Sequence, residues 1–319
     1  VSFEARLARG DDEVGVRKLF ARIFGREMTP EEWRWKYAEN PDGGLSVVAE
    51  SDGAIVGHFG GCPMAASIAG RVRPIYALGD VMTDPAFRQA GGRSNVFSSM
   101  GREMFRRLAE RDAPFGFGFP NARALEVGRR LLGYREHFPV REISFPALPA
   151  PAQSRLETVG TVGEEFAAIW NRCRADFAGA GLVRDGDRVN WRFASRPDRR
   201  YRMILADARG GERAWAALAA RGETLLVLDY LVPPPAGESV AEFVRLLREE
   251  AGRVGARRLV FWESPAGPYR APLAAEASRA GAETIAAGFS FVTAVVFRED
   301  ELERFLRDVH FTPSFYDDR

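Results

Sequence analysis

Cysteine, histidine and lysine are all scarce in this chain of 319 residues. Cys62 and Cys173 are its two cysteines, far apart and in no Cys-x-x-Cys pair. With three histidines in all, the spacing of a structural zinc site is missing, and a disulfide framework is excluded by the same count. Lys18 and Lys36 are the only lysines, so nearly all of the 45 basic residues are arginine. The 44 acidic residues balance them to a formal net charge of +1, so no global field draws the chain to nucleic acid or to an anionic membrane. Long apolar runs are missing too. Nothing approaches the roughly 20 residues of a membrane span, and no stretch reads as a secretory leader. These absences set the expectation of a cytoplasmic protein with no metal, no membrane contact and no nucleic-acid partner.

What is present suffices for two domains. At 46% hydrophobic and 28% charged residues the composition is that of globular proteins, and the length gives each of two domains its own core. The chain is organised around residues 80–97, Asp-Val-Met-Thr-Asp-Pro-Ala-Phe-Arg-Gln-Ala-Gly-Gly-Arg-Ser-Asn-Val-Phe. A short apolar strand turns at Pro85, and Arg88 precedes Gly91-Gly92. From Ser94 the pattern is that of an amphipathic helix with Phe97, Met100, Met104 and Leu108 on one face. Such a strand–loop–helix step gathers free N–H groups at the positive end of a helix dipole. That makes an anion site, which Arg88 and Arg93 reinforce.

Ahead of this stretch, 3–9 reads as a strand and 10–24 as a helix with Val14, Leu19, Phe20 and Ile23 on its apolar face. Thr29-Pro30-Glu31-Glu32 starts a second, capped helix that carries Trp33, Trp35 and Tyr37. Strands at 46–50 and 54–62 meet in a hairpin at Ser51-Asp52-Gly53, and a hairpin centred on Gly70 leads into the strand 75–83. After the long helix come a strand at 113–119, a helix from Asn121, and closing strands near Glu136 and Ile143. Gly116 and Gly118 inside that strand mark close approach of a ligand or another backbone. Pro146, Pro149 and Pro151 then form a connection, which sets the expected domains at 1–148 and 149–319.

The second half repeats the first. Trp191-Arg192-Phe193 echoes Trp35-Lys36-Tyr37, and Ala287-Gly288-Phe289 echoes Leu132-Gly133-Tyr134, each about 155 residues further on. Between these echoes the order of elements is the same: strands at 202–206, 214–219 and 224–232, then a helix with Val240, Phe243, Leu247 and Ala251 on one face, a strand at 258–262 and a helix near 272–280.

Arg88-Gln89-Ala90-Gly91-Gly92-Arg93, set between a strand and a helix, resembles the Arg/Gln-x-x-Gly-x-Gly/Ala signature of the GNAT N-acetyltransferase superfamily. The lead-in Asp80 to Pro85 is similar to the family's strand before that loop. Asn121 with Ala124 resembles its Asn-x-x-Ala, and Leu132-Gly133-Tyr134 its Leu-Gly-Phe. The resemblance covers residues 1–145 and implies an α/β (α+β) fold of two tandem GNAT-like domains, each a mixed, mostly antiparallel sheet flanked by helices. It implies acetyl-CoA or another short acyl-CoA as co-substrate, no metal, and transfer of the acyl group to a small-molecule amine by direct attack on the thioester. On this pattern the main chain of Val81, Met82 and Thr83 pairs with the pantetheine arm as an added strand does. The N–H groups of Gln89, Ala90, Gly91, Gly92, Arg93 and Ser94 cradle the pyrophosphate beside Arg88, and Asn121 and Ala124 face the arm.

Three departures qualify the resemblance. Arg93 stands where the family has Gly or Ala. The family's thiol-protonating tyrosine belongs about seven residues after Asn121, where this chain has Val127, Gly128 and Arg129, and Tyr134 lies too far along by spacing. In the second half, Val232-Pro233-Pro234-Pro235-Ala236-Gly237-Glu238 replaces the signature loop. Its prolines remove N–H donors and Glu238 repels phosphate, so the second domain is expected to hold no donor and to wall the acceptor pocket. For catalysis the candidates are Asp80, as base or amine anchor, and His58, as a proton relay. Their plainer readings are a carboxylate bridging within the sheet and a hydrogen-bonded core histidine. Glu50, Glu136 and His137 are weaker candidates. Residues 311–319 form a polar-aromatic tail that either folds over the cleft or hangs free. The alternative to an enzyme is a catalytically inactive coenzyme A-binding or structural protein of the same architecture.

Overall fold

The computed structural model describes residues 2–88, 95–197, 201–207 and 213–315. The anion loop expected at 89–94 therefore lies outside the described residues. In chain order the first half gives β1 (Glu4–Leu7), α1 (Glu13–Phe24), α2 (Pro30–Trp33), which runs into a π turn (Arg34–Ala38), β2 (Leu45–Ser51), β3 (Ala54–Ile68), β4 (Arg71–Thr83), α3 (Val96–Glu110), β5 (Phe115–Gly118), α4 (Ala122–Leu132) and β6 (Arg135–Pro146). The second half gives β7 (Leu156–Val159), α5 (Glu164–Cys173), β8 (Ala180–Leu182), α6 (Gly186–Val189) with a second π turn (Asn190–Ala194), β9 (Arg202–Asp207), β10 (Arg213–Arg221), β11 (Thr224–Leu231), α7 (Ala236–Arg253), β12 (Arg258–Trp262), α8 (Arg270–Ala280), β13 (Glu283–Val296) and α9 (Glu299–Asp308).

Local chemistry sets the helix starts. The Thr29 hydroxyl accepts from Glu32 N at 3.1 Å, Asn95 Oδ1 from Ser98 N at 2.9 Å and Asn121 Oδ1 from Ala124 N at 2.9 Å. Each satisfies an N–H that the helix itself cannot. The hairpin expected at Gly70 joins β3 to β4, with left-handed φ at Ala69 and Gly70.

The chain folds as two compact units, and neither is a continuous stretch. Unit 1 comprises Val1–Ala65, Arg73–Phe138 and Phe289–Leu302, and unit 2 comprises Ala66–Val72, Pro139–Gly288 and Glu303–Arg319. The boundary read from the sequence at 148/149 thus falls inside unit 2, after the changeover from Phe138 to Pro139. In unit 1 the strand order is β1-β2-β3-β4-β5-β13, and in unit 2 it is β7-β9-β10-β11-β12-β6. Each unit therefore ends on a strand that follows the other half's helices in sequence. Thr293 of β13 lies opposite Phe117 of β5, and Phe145 of β6 opposite Leu259 of β12, both antiparallel. The small strand β8 pairs with the end of β3 at Ala66, Ser67 and Ile68, within unit 2.

Both cores follow the period of two along the strands. In unit 1, Val47 and Ala49 of β2 pack with Phe59, Val96, Met100, Met104 and Leu108, on the α3 face. Val48 between them packs with Val16, Leu19, Phe20, Trp33 and Met82, on the α1 and α2 face. In unit 2, Trp215 of β10 packs edge-on to Phe166 of α5, centroids 5.0 Å apart, and Tyr230 of β11 stacks on Phe243 of α7 at 6.0 Å, all within one buried cluster.

Candidate functional site

The site in unit 1 is built on a fork in the sheet. β4 and β5 run parallel and, among the described residues, are in register at Tyr76–Gly116 and Ala77–Phe117. A Cβ on Gly118 would stand 2.9 Å from the Leu78 carbonyl oxygen, so the strands still touch there. Two residues on, Asp80 takes a left-handed φ of 49°, a conformation an aspartate tolerates better than most residues. Beyond it β4 stays with β3, since Asp84 N donates to Val56 O at 2.8 Å. Met82 is buried in the α1 face of the core and Val81 packs against the α3 face. Their side chains are committed to packing.

Asp80 sits at the point of the fork, 5% exposed. Lys36 Nζ reaches its Oδ2 at 2.7 Å and the Tyr37 hydroxyl donates to the same oxygen at 2.6 Å. Both groups come from the π turn after α2, which buries Trp35, Lys36 and Tyr37 together. The π geometry makes this possible, because one extra residue per turn redirects successive side chains. Gly60 on β3 is part of the device. A Cβ there would lie 2.2 Å from the Tyr37 hydroxyl oxygen.

His58 meets Asp80 differently from the relay expected of it. Its Nδ1 lies 2.8 Å from the main-chain oxygen of Asp80, and its Nε2 lies 2.8 Å from Ser46 Oγ. A carbonyl only accepts, so Nδ1 carries the hydrogen. Burial holds the ring's pKa below the ordinary histidine value, against the opposing pull of Asp80. The neutral ring then accepts the Ser46 hydroxyl at Nε2. His58 thus grips the backbone of the fork residue and does not touch its carboxylate.

The remaining sequence candidates scatter. Thr83 ends β4, and its carbonyl accepts from Arg88 Nε at 3.3 Å, with the Arg88 side chain otherwise exposed. Asn121 and Ala124 are joined by the cap of α4, which gives their spacing a structural reason. Gln89, Ala90, Gly91, Gly92, Arg93 and Ser94 lie outside the described residues. His137 bonds Thr293 Oγ1 at 2.8 Å, and Glu136 forms a surface pair with Arg129. Glu50 pairs with Arg6.

Tyr134 is the residue that spacing misplaced. A Cβ on Gly128 would lie 2.2 Å from the Tyr134 ring, so the tyrosine fills the space over the position where the resemblance had called for one. Its ring also packs edge-on to Phe97 in the first turn of α3, centroids 6.4 Å apart. Burial raises the phenol's pKa above its ordinary value, which keeps it a proton donor at neutral pH. The left-handed Gly133 between α4 and β6 reverses the chain and brings the ring back. Lys36 and Tyr37 were also missed as polar partners. The available signal was scarcity: one of only two lysines stands between Trp35 and Tyr37 on a buried face.

Unit 2 repeats the fork with other side chains. β11 and β12 run parallel through Leu226–Val260, and the β10–β11 register shifts by one residue between Ala217 and Leu218, next to Asp229. Arg184 holds Asp229 through two bonds, Nε to Oδ2 at 2.8 Å and Nη2 to Oδ1 at 3.0 Å. Both residues are buried.

Comparison with known proteins agrees with this geometry. Residues 4–134 match the model of an acetyltransferase (GNAT) domain. A GCN5-related N-acetyltransferase from Kribbella flavida is 16% identical with a TM-score of 0.68, over 94% of this chain and 72% of that one. A GCN5-related N-acetyltransferase from Anabaena variabilis is 12% identical with a TM-score of 0.63, over 92% and 72%. The N-myristoyltransferase of Saccharomyces cerevisiae, solved with myristoyl-CoA, is 9% identical with a TM-score of 0.56, over 92% and 82%. At these identities the likeness establishes the fold. No curated protein sequence matches the chain. Among the described residues no helix is long and apolar enough to cross a membrane, and no cluster of His, Cys, Asp or Glu is arranged to hold a metal ion.

Proposed function

With residues 4–134 belonging to the GNAT acetyltransferase domain, we propose that the chain transfers an acetyl or other short acyl group from coenzyme A to a small-molecule amine. The observation that carries this reading is the β4–β5 fork with the Lys36–Asp80–Tyr37 cluster at its point. The donor's pantetheine arm pairs with the main chain of 81–83, its pyrophosphate rests on the loop 89–94 beside Arg88, and Asn121 closes the arm from α4. The acceptor nitrogen attacks the thioester carbon, the C–N bond forms and the C–S bond breaks. Asp80 takes the proton the amine loses, and Tyr134 returns one to the leaving thiolate. Lys36 and Tyr37 hold the Asp80 carboxylate in place, and His58 positions its backbone. Unit 2 takes no donor. Cys62 and Cys173 are both buried and joined in no disulfide, in keeping with a reducing cytoplasmic setting.

The test is a thermal shift with acetyl-CoA followed by thiol release against a panel of amines. A shift with turnover supports the enzyme. A shift with no turnover on any amine supports a binding protein that has lost catalysis, and no shift overturns both.

A further inference from the structure

The described segment after α9, residues 309–315, is buried throughout. Val309, His310 and Phe315 are 0% exposed, Phe311 1%, Thr312 2% and Ser314 5%. Its hydrogen bonds and ring contacts run to both arms of unit 2's fork. On the β12 side, Ser264 Oγ donates to Val309 O at 3.0 Å and accepts Phe311 N–H at 2.7 Å. Phe311 stacks on Trp262 with centroids 5.3 Å apart. On the β11 side, the Thr312 hydroxyl donates to Asp229 Oδ1 at 3.2 Å and the Ser314 hydroxyl to Leu228 O at 3.4 Å. These are the residues where β11 leaves the regular register of its neighbour. Between the two arms, His310 lies edge-on to Tyr230 and Tyr269, centroids 5.0 Å from each, with Phe177 at 5.5 Å.

We infer that unit 2's fork is a peptide-binding cleft whose ligand is the chain's own segment 309–315. Main-chain groups of the segment are read by one hydroxyl, its rings and hydroxyls enter aromatic and polar pockets, and it closes in a 3-10 turn at Pro313–Phe315 beside strands that have parted. This is recognition of a peptide segment by side-chain pockets and a few hydrogen bonds, carried out within one chain. The cleft and its occupant are also imperfectly matched. Both ring nitrogens of His310 are buried without a hydrogen-bond partner among the described residues, which costs free energy in the docked state. A segment evolved only as core would carry an apolar ring there. The mismatch makes docking reversible below the stability of the sheet that holds it.

The test cuts the segment free after folding. A protease site inserted after Asp308 is cleaved in the folded full chain, and a labelled synthetic peptide of residues 309–315 is offered. The expected result is saturable exchange of the peptide. Unlabelled peptide competes, a scrambled peptide does not, and Ser264→Ala weakens binding about tenfold, as loss of two hydrogen bonds to one hydroxyl implies. Failure to exchange, or exchange indifferent to scrambling or to Ser264→Ala, overturns the inference. If the inserted site prevents folding, amide exchange in the uncut chain decides. The Phe311 amide is expected to exchange through local opening, faster than the amides of β10, and still faster in Ser264→Ala. Exchange of Phe311 only together with β10, in global unfolding, makes the segment plain core and overturns the inference. Neither readout involves coenzyme A, so a failed acetyl-CoA shift leaves it standing, and the reverse holds too.

Discussion

Unit 1 and unit 2 place an aspartate at the point of the same fork and partner it differently. Asp80 has a lysine and a tyrosine converging on one oxygen, while Asp229 has both oxygens taken by the fork of Arg184 and further bonds from the Thr312 hydroxyl and Tyr230 N–H. An ammonium and a phenol on one oxygen constrain a carboxylate at one point. A bidentate guanidinium fixes its orientation through both oxygens. The π turn is kept in both units, Arg34–Ala38 and Asn190–Ala194, and so is the parallel pair of strands that parts. The backbone device is common to both units, and they differ in the side chains that surround it.

The exchanged strands give the largest expected effect. A chain ending at residue 148 keeps every element of the first repeat but loses β13 from the edge of β5, including Phe291, whose ring stacks on Phe117 at 5.2 Å. Circular dichroism is expected to show no cooperative melt for this fragment. A fragment that melts as the full chain does would show that the two halves fold independently. Next in size, Asp80→Asn is expected to cut turnover by about 100-fold or more, the range for loss of a general base, with coenzyme A affinity unchanged. Asp229→Asn leaves a buried guanidinium short of its charge partner. It should lower the melting temperature while the turnover of folded protein stays within about twofold. Equal losses of rate from both changes would erase the distinction between the units.

Tyr134→Phe removes one hydroxyl and little packing. A loss of about 10- to 100-fold in kcat at constant donor affinity is expected from steady-state kinetics if it protonates the thiolate. The smallest effect is a pH dependence. Burial, with Arg184 adding to it, holds the His310 pKa well below the ordinary histidine range. The fold therefore favours the neutral ring. Its contribution is complete above about pH 6.5 and is lost as pH falls toward the folded-state pKa. Asp229, Tyr230, Tyr269 and Cys173 surround the same site, and His58, also lowered by burial, contributes with the same sign from unit 1. Urea unfolding across this range should show an acid limb that His310→Leu flattens.

Much of the scaffold was legible because its determinants are local. The α3 face of Phe97, Met100, Met104 and Leu108, the Thr29 cap and the Gly70 turn are each fixed within a few residues, and the repeat announced itself through Trp35 and Trp191. What was hidden depends on partners distant in sequence. Nothing within β6 or β13 says that each pairs in the other half's sheet. Tyr134 looked misplaced because spacing counts along the helix, whereas the left-handed Gly133 folds the chain back onto Gly128. The lysine that meets Asp80 is set by a π turn that no period of 3.6 reveals. The tail at 311–319 had two expected fates, over the cleft or free. Ser264 and Leu228, which tie its described part into unit 2, carry no motif.

The central claim is that one fork takes the donor and the other does not. Titration calorimetry of coenzyme A into the full chain measures this most directly. The account predicts one site per chain, weakened at least about tenfold by Arg88→Glu, the loss of a charge-assisted phosphate contact, and unaffected by Glu238→Gln. Two sites, or a single site that ignores Arg88→Glu and responds to Glu238→Gln, would contradict it.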